Sequence, residues 1–217
     1  MWYTVQDSLI SGKLVYSGTR QKRAIRVLGY IRSDGFFIEE FLPEGMLSGI
    51  WQGQIRGNNF TGTWTDPATG KQMNFSQQQS ETDSTFAADP FTAGNITGNY
   101  QYKYDNQGGM GTVNVKKLDN SHIVYNISVI GQAPGYNQAV VEDDTLELTG
   151  NTAIYSGQNE TGMCSYRIRL FKDFLVIDSP MDEYDCEFGM GVTVTGIYLK
   201  TDEDFASFHI DGDNAGR

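Results

Sequence analysis

Three groups of neighbouring carboxylates are the side chains of this sequence most suited to acid–base chemistry. Two carboxyl groups about 5–10 Å apart can serve as the acid and base of a glycoside hydrolase. Adjacent residues of a strand point to opposite faces, so Glu39 and Glu40 cannot both face one site. A carboxylate-based glycan hydrolase therefore ranks third among the functions considered, and solvated surface charge explains these groups better. The groups are Glu39-Glu40, Glu142-Asp143-Asp144 and Asp182–Glu187.

Other catalytic and metal-binding chemistry has little support in the sequence. The two histidines, His122 and His209, are too few for a His-rich metal site, and no Gly-x-Ser-x-Gly motif occurs. Cys186 lies among acidic residues, which disfavour the thiolate that a cysteine nucleophile needs. We predict no catalytic residue and no cofactor, and the sequence leans against an enzyme. A Ca²⁺ site in the acidic loop would use Asp182, Glu183 and Asp185.

Aromatic and basic side chains on neighbouring predicted strands form the candidate ligand site. Aromatic faces and guanidinium groups in the hollow of a sheet suit a sugar, an anionic small molecule or a peptide. The alternative is that the tryptophans fill a core while the arginines, which share one parity along their strand, point outward. The candidate residues are Tyr30, Trp51, Trp64, Arg26 and Arg32.

The two cysteines, Cys164 and Cys186, are 22 positions apart. In a meander both lie at the same end of the sheet, where a disulfide is sterically possible if the loop at Cys186 leans over the intervening strand. We predict this disulfide, with two buried free thiols as the alternative.

The elements that position these residues are nearly all strands. Short segments of alternating apolar and polar residues end in Gly, Asn or Asp turns, which supply the positive φ angles of tight hairpins. Only residues 139–148 could equally form a short helix. The fold class is therefore an all-β antiparallel meander. The predicted strands are Leu14–Ser17, Ala24–Arg32, Phe36–Leu42, Gly49–Arg56, Phe60–Thr65, Gln72–Gln77, Ile96–Tyr104, Thr112–Leu118, His122–Ile130, Ala139–Leu148, Thr152–Tyr155, Ser165–Phe171, Phe174–Asp178 and Val192–Lys200.

Charge and composition divide the chain of 217 residues into two modules. The net charge of −11 is distributed as −1 over residues 1–90 and −10 over residues 91–217. A polar, patternless stretch over residues 77–85 has the composition of a linker. We therefore predict an N-terminal antiparallel β module over residues 1–88, a C-terminal β-barrel module over 89–204 and an acidic tail over 205–217.

A weak repeat runs through the meander, with the pattern apolar, Thr, Gly, any residue, aromatic. A glycine inside a strand permits sharp coiling, and the aromatic two residues later covers the gap on the same face. Two copies lie on the first and last strands of the second half, which predicts an up-and-down barrel of about eight strands. The first half is predicted as a smaller β-sheet or partial barrel. The copies are Phe60–Trp64, Ile96–Tyr100 and Val194–Tyr198.

The Gly62-Thr63-Trp64 motif in an up-and-down meander resembles the calycin type of barrel, such as lipocalins and avidins. The second half is similar to uncharacterised secreted bacterial β modules. The resemblance covers about half of the chain, implies a closed barrel and names no activity. The Trp motif comes late in the first half, whereas lipocalins begin with it. The segments that carry the resemblance of the second half are Gly150–Tyr155, Cys164, Cys186–Val192 and Gly196–Lys200.

Three functions follow from these patterns, in order. The first is a non-enzymatic, secreted or periplasmic barrel module that binds a small molecule or glycan; such a module predicts a concave, aromatic-lined pocket rather than a filled barrel. The second is an interaction or inhibitor module that docks a basic protein through its acidic half. The third is the hydrolase. The acidic charge argues against nucleic acid, and no apolar run is long enough for a transmembrane segment. We expect an extracytoplasmic protein in its mature form, with its leader removed.

Overall fold

A computed structural model describes residues 1–16, 18, 23–33, 35–80, 91, 94–104, 108–158, 160, 162–179, 186 and 188–207. Fifteen β-strands form the regular structure of these residues. None of the described residues belongs to an α-helix. The all-β prediction is confirmed. The chain forms two compact units, Met1–Thr92 with Lys103–Asn106 and Ala93–Tyr102 with Gln107–Arg217. The predicted boundary at residue 88 and most of the predicted tail lie outside the described residues.

The N-terminal unit is an open antiparallel sheet in which seven strands pair in chain order. Rings that are distant in this order nevertheless touch on one face of the sheet. The centroid of the Tyr3 ring, on the first strand, lies 5.8 Å from that of Phe60 on the sixth. The sheet is therefore curled, with a concave apolar face and a convex face. The strands are β1 Trp2–Gln6, β2 Leu9–Val15, β3 Ala24–Arg32, β4 Gly35–Phe41, β5 Leu47–Arg56, β6 Asn59–Thr65 and β7 Gln72–Gln78.

The first strand was absent from the sequence prediction, which began at Leu14–Ser17. The structure places β1 and the first residues of β2 before that point and joins them by a two-residue turn. Both turn residues, Asp7 and Ser8, adopt positive φ angles of 47° and 69°. Asp is among the residues that occupy this region in tight hairpins, but no glycine or asparagine marks the turn. This absence explains why the hairpin was missed.

The C-terminal unit is a closed antiparallel barrel of eight strands, as the sequence predicts. It is closed by the pairing of its last strand with its first, in which Lys200 lies opposite Tyr100. The ambiguous residues 139–148 belong to a strand. The strands are β8 Gly98–Lys103, β9 Met110–Lys117, β10 His122–Ile130, β11 Gln138–Thr149, β12 Thr152–Gln158, β13 Met163–Leu170, β14 Phe174–Asp178 and β15 Gly196–Asp202.

Two copies of the sequence repeat share the same tyrosine hydrogen bond, and each leads into one of the two strands whose pairing closes the barrel. The hydroxyl of Tyr100 donates to the backbone carbonyl of Ile96 at 2.8 Å, and that of Tyr198 donates to Val194 at 2.7 Å. The glycine of the first copy, Gly98, has a φ of +153°, and a Cβ there would lie 2.2 Å from the Asp202 carbonyl oxygen. The repeat therefore anchors both closing strands by the same hydrogen bond.

Large side chains fill the interior of the barrel. Tyr125 and Tyr166 are fully buried, and their hydroxyls are hydrogen-bonded at 2.7 Å. Burial, first of all, raises the pKa of both phenols. Such an interior is a packed core. It favours a ligand site elsewhere over one inside the barrel. Other members of this core are Val113, Val115, Ile123, Ile127, Ile168, Leu170, Leu175, Ile177 and Val194.

The predicted disulfide between Cys164 and Cys186 is present. Cys164 is buried in the core of the barrel on β13, and Cys186 packs partly buried against the same core. The bond therefore ties the segment at Cys186 to the barrel wall.

No helix of the described part of the chain is long and apolar enough to cross a membrane.

Candidate functional site

The five predicted ligand-binding residues are divided between the two faces of the N-terminal sheet. Side chains of paired residues share a face, and successive residues alternate. This pattern places Trp51, Trp64 and their partners on the concave face, because Trp51 pairs with Trp64 and with Ile38. It places Tyr30 and the two arginines on the convex face, where Tyr30 lies in one row with Phe37 and Gln52. The sequence analysis predicts one ligand site from all five residues, and the structure does not bring them together.

The two tryptophans surround a buried carboxylate, Glu40, on the concave face. The Glu40 side chain is 1% exposed. Its Oε1 accepts hydrogen bonds from the Tyr16 hydroxyl and from the indole N–H of Trp51 at 2.6 Å and of Trp64 at 3.2 Å. Its Oε2 accepts one from Ser48 at 3.2 Å. We call these five residues the Glu40 cluster.

The Glu40 cluster is a structural site rather than a binding site. These four donors to the carboxylate are neutral side chains from β5, β6 and the residue after β2. Burial and the adjacent Glu40 carboxylate raise the pKa of the Tyr16 hydroxyl, so Tyr16 stays a hydrogen-bond donor. A buried carboxylate needs such donors to offset its lost hydration. The tryptophans thus hold the Glu40 carboxylate, and their own side chains are half-buried.

A pocket of about 370 Å³ lies on the convex face, at a position where β4 has a glycine instead of a side chain. Arg32 pairs with Gly35, so the position beside Arg32 on β4 has no side chain. A Cβ at Gly35 would lie 2.1 Å from the carbonyl oxygen of Gly53, which shows how closely β4 and β5 approach there. The floor is therefore backbone at Gly35, Phe36 and Gly53. The walls are the side chains of Tyr30, Arg32, Phe37 and Gln52.

The pocket walls are ordered by stacking. The Arg32 guanidinium carbon lies 4.4 Å from the centroid of the Tyr30 ring, a cation–π contact. The Tyr30 and Phe37 rings are stacked at 5.2 Å with an interplanar angle of 17°. These contacts restrict the rotamers of three adjacent side chains before any ligand arrives, which reduces the entropy lost on binding.

A regular array of uncharged polar side chains continues the pocket across the convex face. Gln52 pairs with Thr63, which pairs with Asn74, and in the next row Gln54, Thr61 and Ser76 are aligned in the same way. Their side chains are exposed or half-buried. Sequence reasoning missed this array, although the alternate positions on this face are Gln, Thr, Asn or Ser throughout β6 and β7 and at Gln52 and Gln54 of β5. We call the pocket and this array together the convex site.

The two arginines of the predicted ligand site, Arg26 and Arg32, differ in their access to the convex site. Arg32 is exposed and forms a wall of the pocket. Arg26 points to the same face, is half-buried, and lies in register with Lys13 and Phe41 rather than at the pocket.

Of the carboxylates considered from the sequence, Glu39 and Glu40 do not form a catalytic pair, and the carboxylates of residues 182–187 lie outside the described residues. Glu39 points to the convex face and Glu40 to the concave face, as alternation predicts. Asp143 ends a chain of side-chain amides, because Asn99 donates to Asn114, Asn114 to Asn126 and Asn126 to Asp143, each within 2.8 Å. Asp143 therefore has a structural partner on the barrel wall.

The proposed calcium ligands, Asp182, Glu183 and Asp185, lie outside the described residues. Within the described ranges, no group of three or more His, Cys, Asp or Glu side chains could hold a metal ion.

Glu39 is a buried carboxyl group whose side chain forms no hydrogen bond with any residue that the structure describes. Its burial raises the pKa of the group from its ordinary value of 4.5 to about 8. The folded protein therefore keeps this proton at neutral pH, whereas the unfolded chain releases it.

Glu39→Gln is expected to flatten the pH dependence of stability. Between pH 4.5 and about 8 the folded state binds the Glu39 proton and the unfolded state does not, so stability falls as pH rises through this window. Glutamine has no proton to lose. Thermal unfolding at pH 5 and pH 8.5 should show a smaller loss for the variant than for wild type. The exposed Glu147→Gln serves as control, and parallel losses in all three proteins would contradict the burial of an ionisable Glu39.

No protein-family model, curated protein or solved structure matches this chain. The fold and the sites define an all-β protein with a curled open sheet, a closed and filled barrel, and a solvent-facing pocket on the sheet.

Proposed function

We propose that this protein is a non-enzymatic, calycin-like binding module and that it holds a glycan at the convex site. The observation that carries the proposal is the continuity of an aromatic-walled pocket with an uncharged amide and hydroxyl array. The filled barrel then acts as the scaffold.

The chemistry of the convex site suits a sugar. One face of a pyranose ring presents C–H groups, which pack on the electron-rich face of an aromatic ring such as Phe37. Sugar hydroxyls both donate and accept hydrogen bonds, as do the side chains of Gln52, Gln54 and Thr63. The spacing of about 4.8 Å between neighbouring strands repeats these groups at intervals that an extended oligosaccharide can follow.

The proposal extends to location and family. A structural disulfide is compatible with an extracytoplasmic compartment, since the cytoplasm keeps thiols reduced. The closed eight-stranded meander and the Gly62-Thr63-Trp64 motif support a calycin-like origin. We infer a secreted or periplasmic protein, of bacterial type.

Tyr30→Ala is expected to weaken glycan binding by about tenfold or more, because it removes the ring that positions both Arg32 and Phe37 at the pocket. The wild-type protein is first screened against a panel of neutral and acidic glycans, and the bound members are measured by calorimetry. The matched control is Tyr136→Ala, an exposed tyrosine in the loop before β11.

Two results would overturn the proposal. One is the absence of any glycan binding by the wild-type protein. The other is binding that Tyr30→Ala and Tyr136→Ala reduce equally. Capture of basic proteins that weakens steeply with salt would instead favour docking through the acidic half.

A further inference from the structure

The charges that point to the convex face differ in sign from those of the chain as a whole. The chain carries a net charge of −11. Among the strand residues that alternation assigns to the convex face, four are basic and one, Glu39, is acidic. Glu39 is buried and stays protonated at neutral pH, so it does not offset the basic residues. The four basic residues are Lys13, Arg26, Arg32 and Arg56.

Arg32 is the basic residue that a ligand in the pocket can reach. Its guanidinium is placed over the Tyr30 ring, and it forms no ion pair with another residue in the described part of the chain. Stacking occupies one face of the planar group and leaves its N–H edges available. Those edges match the two oxygens of a carboxylate in a bidentate arrangement.

The neighbour of Arg32 on β4 is Gly35, so no side chain separates the guanidinium from the pocket floor. A sugar ring in the pocket that packs against Phe37 would extend a substituent toward Arg32. The opposite wall, Gln52, offers an amide that can bond to hydroxyls but supplies no charge. The pocket is therefore asymmetric, with a cationic wall and a neutral wall.

We propose that the glycan bound at the convex site is acidic, with a hexuronic carboxylate held by Arg32 while the sugar ring packs against Phe37. This inference rests on the proposed function and adds the chemical class of the ligand. A local cation is needed for such a ligand, because the overall negative charge of the protein repels anions at a distance.

The test uses galacturonic acid oligomers and their fully methyl-esterified forms, which share a backbone and differ in charge. The acid form is expected to bind at least about tenfold more tightly than the ester, because a hydrogen-bonded charge pair is lost in the ester. Arg32→Gln should remove this difference. Lys13→Gln, which removes an exposed basic residue of β2 away from the pocket walls, should preserve it. Arg32→Lys should retain only part of it, since lysine lacks the planar fork.

The outcomes separate this inference from the proposed function. Equal binding of acid and ester forms, or binding of neutral glycans from the panel alone, overturns the acidic ligand and leaves the glycan site standing. A preference for the acid form that survives Arg32→Gln overturns the role of Arg32. Failure to bind any glycan, acidic or neutral, overturns both proposals.

Discussion

Replacing Glu40 by alanine is expected to lower the free energy of unfolding of the N-terminal unit by about 3–5 kcal/mol. The variant leaves the indole N–H groups of Trp51 and Trp64 and the hydroxyls of Tyr16 and Ser48 without their acceptor. It also leaves a cavity in the concave face, where Glu40 is 1% exposed. Both effects act in the folded state alone, because the unfolded chain hydrates these groups.

Urea unfolding followed by tryptophan fluorescence measures this effect directly, since two tryptophans contact Glu40. Glu40→Gln keeps one carbonyl oxygen for the indoles and should cost less than Glu40→Ala. Glu147→Ala, an exposed glutamate on β11, should change stability little. A loss below about 1 kcal/mol for Glu40→Ala would contradict the view that this carboxylate organises the sheet.

Removal of the disulfide should destabilise the barrel by about 3 kcal/mol in the loop-entropy model, because the bond closes a loop between residues 22 positions apart. The double variant Cys164→Ala/Cys186→Ala is compared with wild type by denaturant unfolding, with and without reductant. Reductant should destabilise the wild-type barrel to the level of the variant and leave the variant unchanged.

A thiol count gives the independent control for this prediction. The unreduced, denatured wild-type protein should contain no free thiol among its two cysteines. Two titratable thiols, or a wild-type barrel that reductant does not affect, would contradict it.

Much of the barrel could be predicted because its signals are local. The Ile96–Tyr100 and Val194–Tyr198 repeats each contain the glycine and tyrosine that turn and anchor a strand, and the structure joins the two strands at the closure. The strand of residues 138–149 required tertiary information. Its pattern fits a helix or a strand, and pairing with β10 decides between them.

The position of the site could not be predicted, because it depends on the register between strands. Alternation alone places Tyr30 and Arg32 on one face of β3, and Trp51 and Trp64 on one face of their hairpin. Whether the two sets share a face depends on the pairing of β4 with β5, where the register shifts between Glu40 and Phe41. A register shift of one residue moves every later side chain to the other face.

The pocket exists because Gly35 has no side chain, and a search for functional side chains overlooks a glycine. Gly35 begins β4, and its place beside Arg32 creates the depression. The polar array was likewise missed, since Gln, Thr and Asn carry no charge and form no recognised motif. Both features become visible only when the strands are aligned.

Mapping of bound glycan by nuclear magnetic resonance tests the central claim most directly. The amide signals of the isotope-labelled, full-length protein are followed as a panel-selected oligosaccharide is added. We predict shifts at Tyr30, Arg32, Phe37, Gln52 and their neighbours on β5–β7, while signals of the barrel strands β9–β14 stay fixed. Shifts confined to those barrel strands, or no saturable shift at the convex site, would contradict the assignment of glycan binding to this face of the sheet.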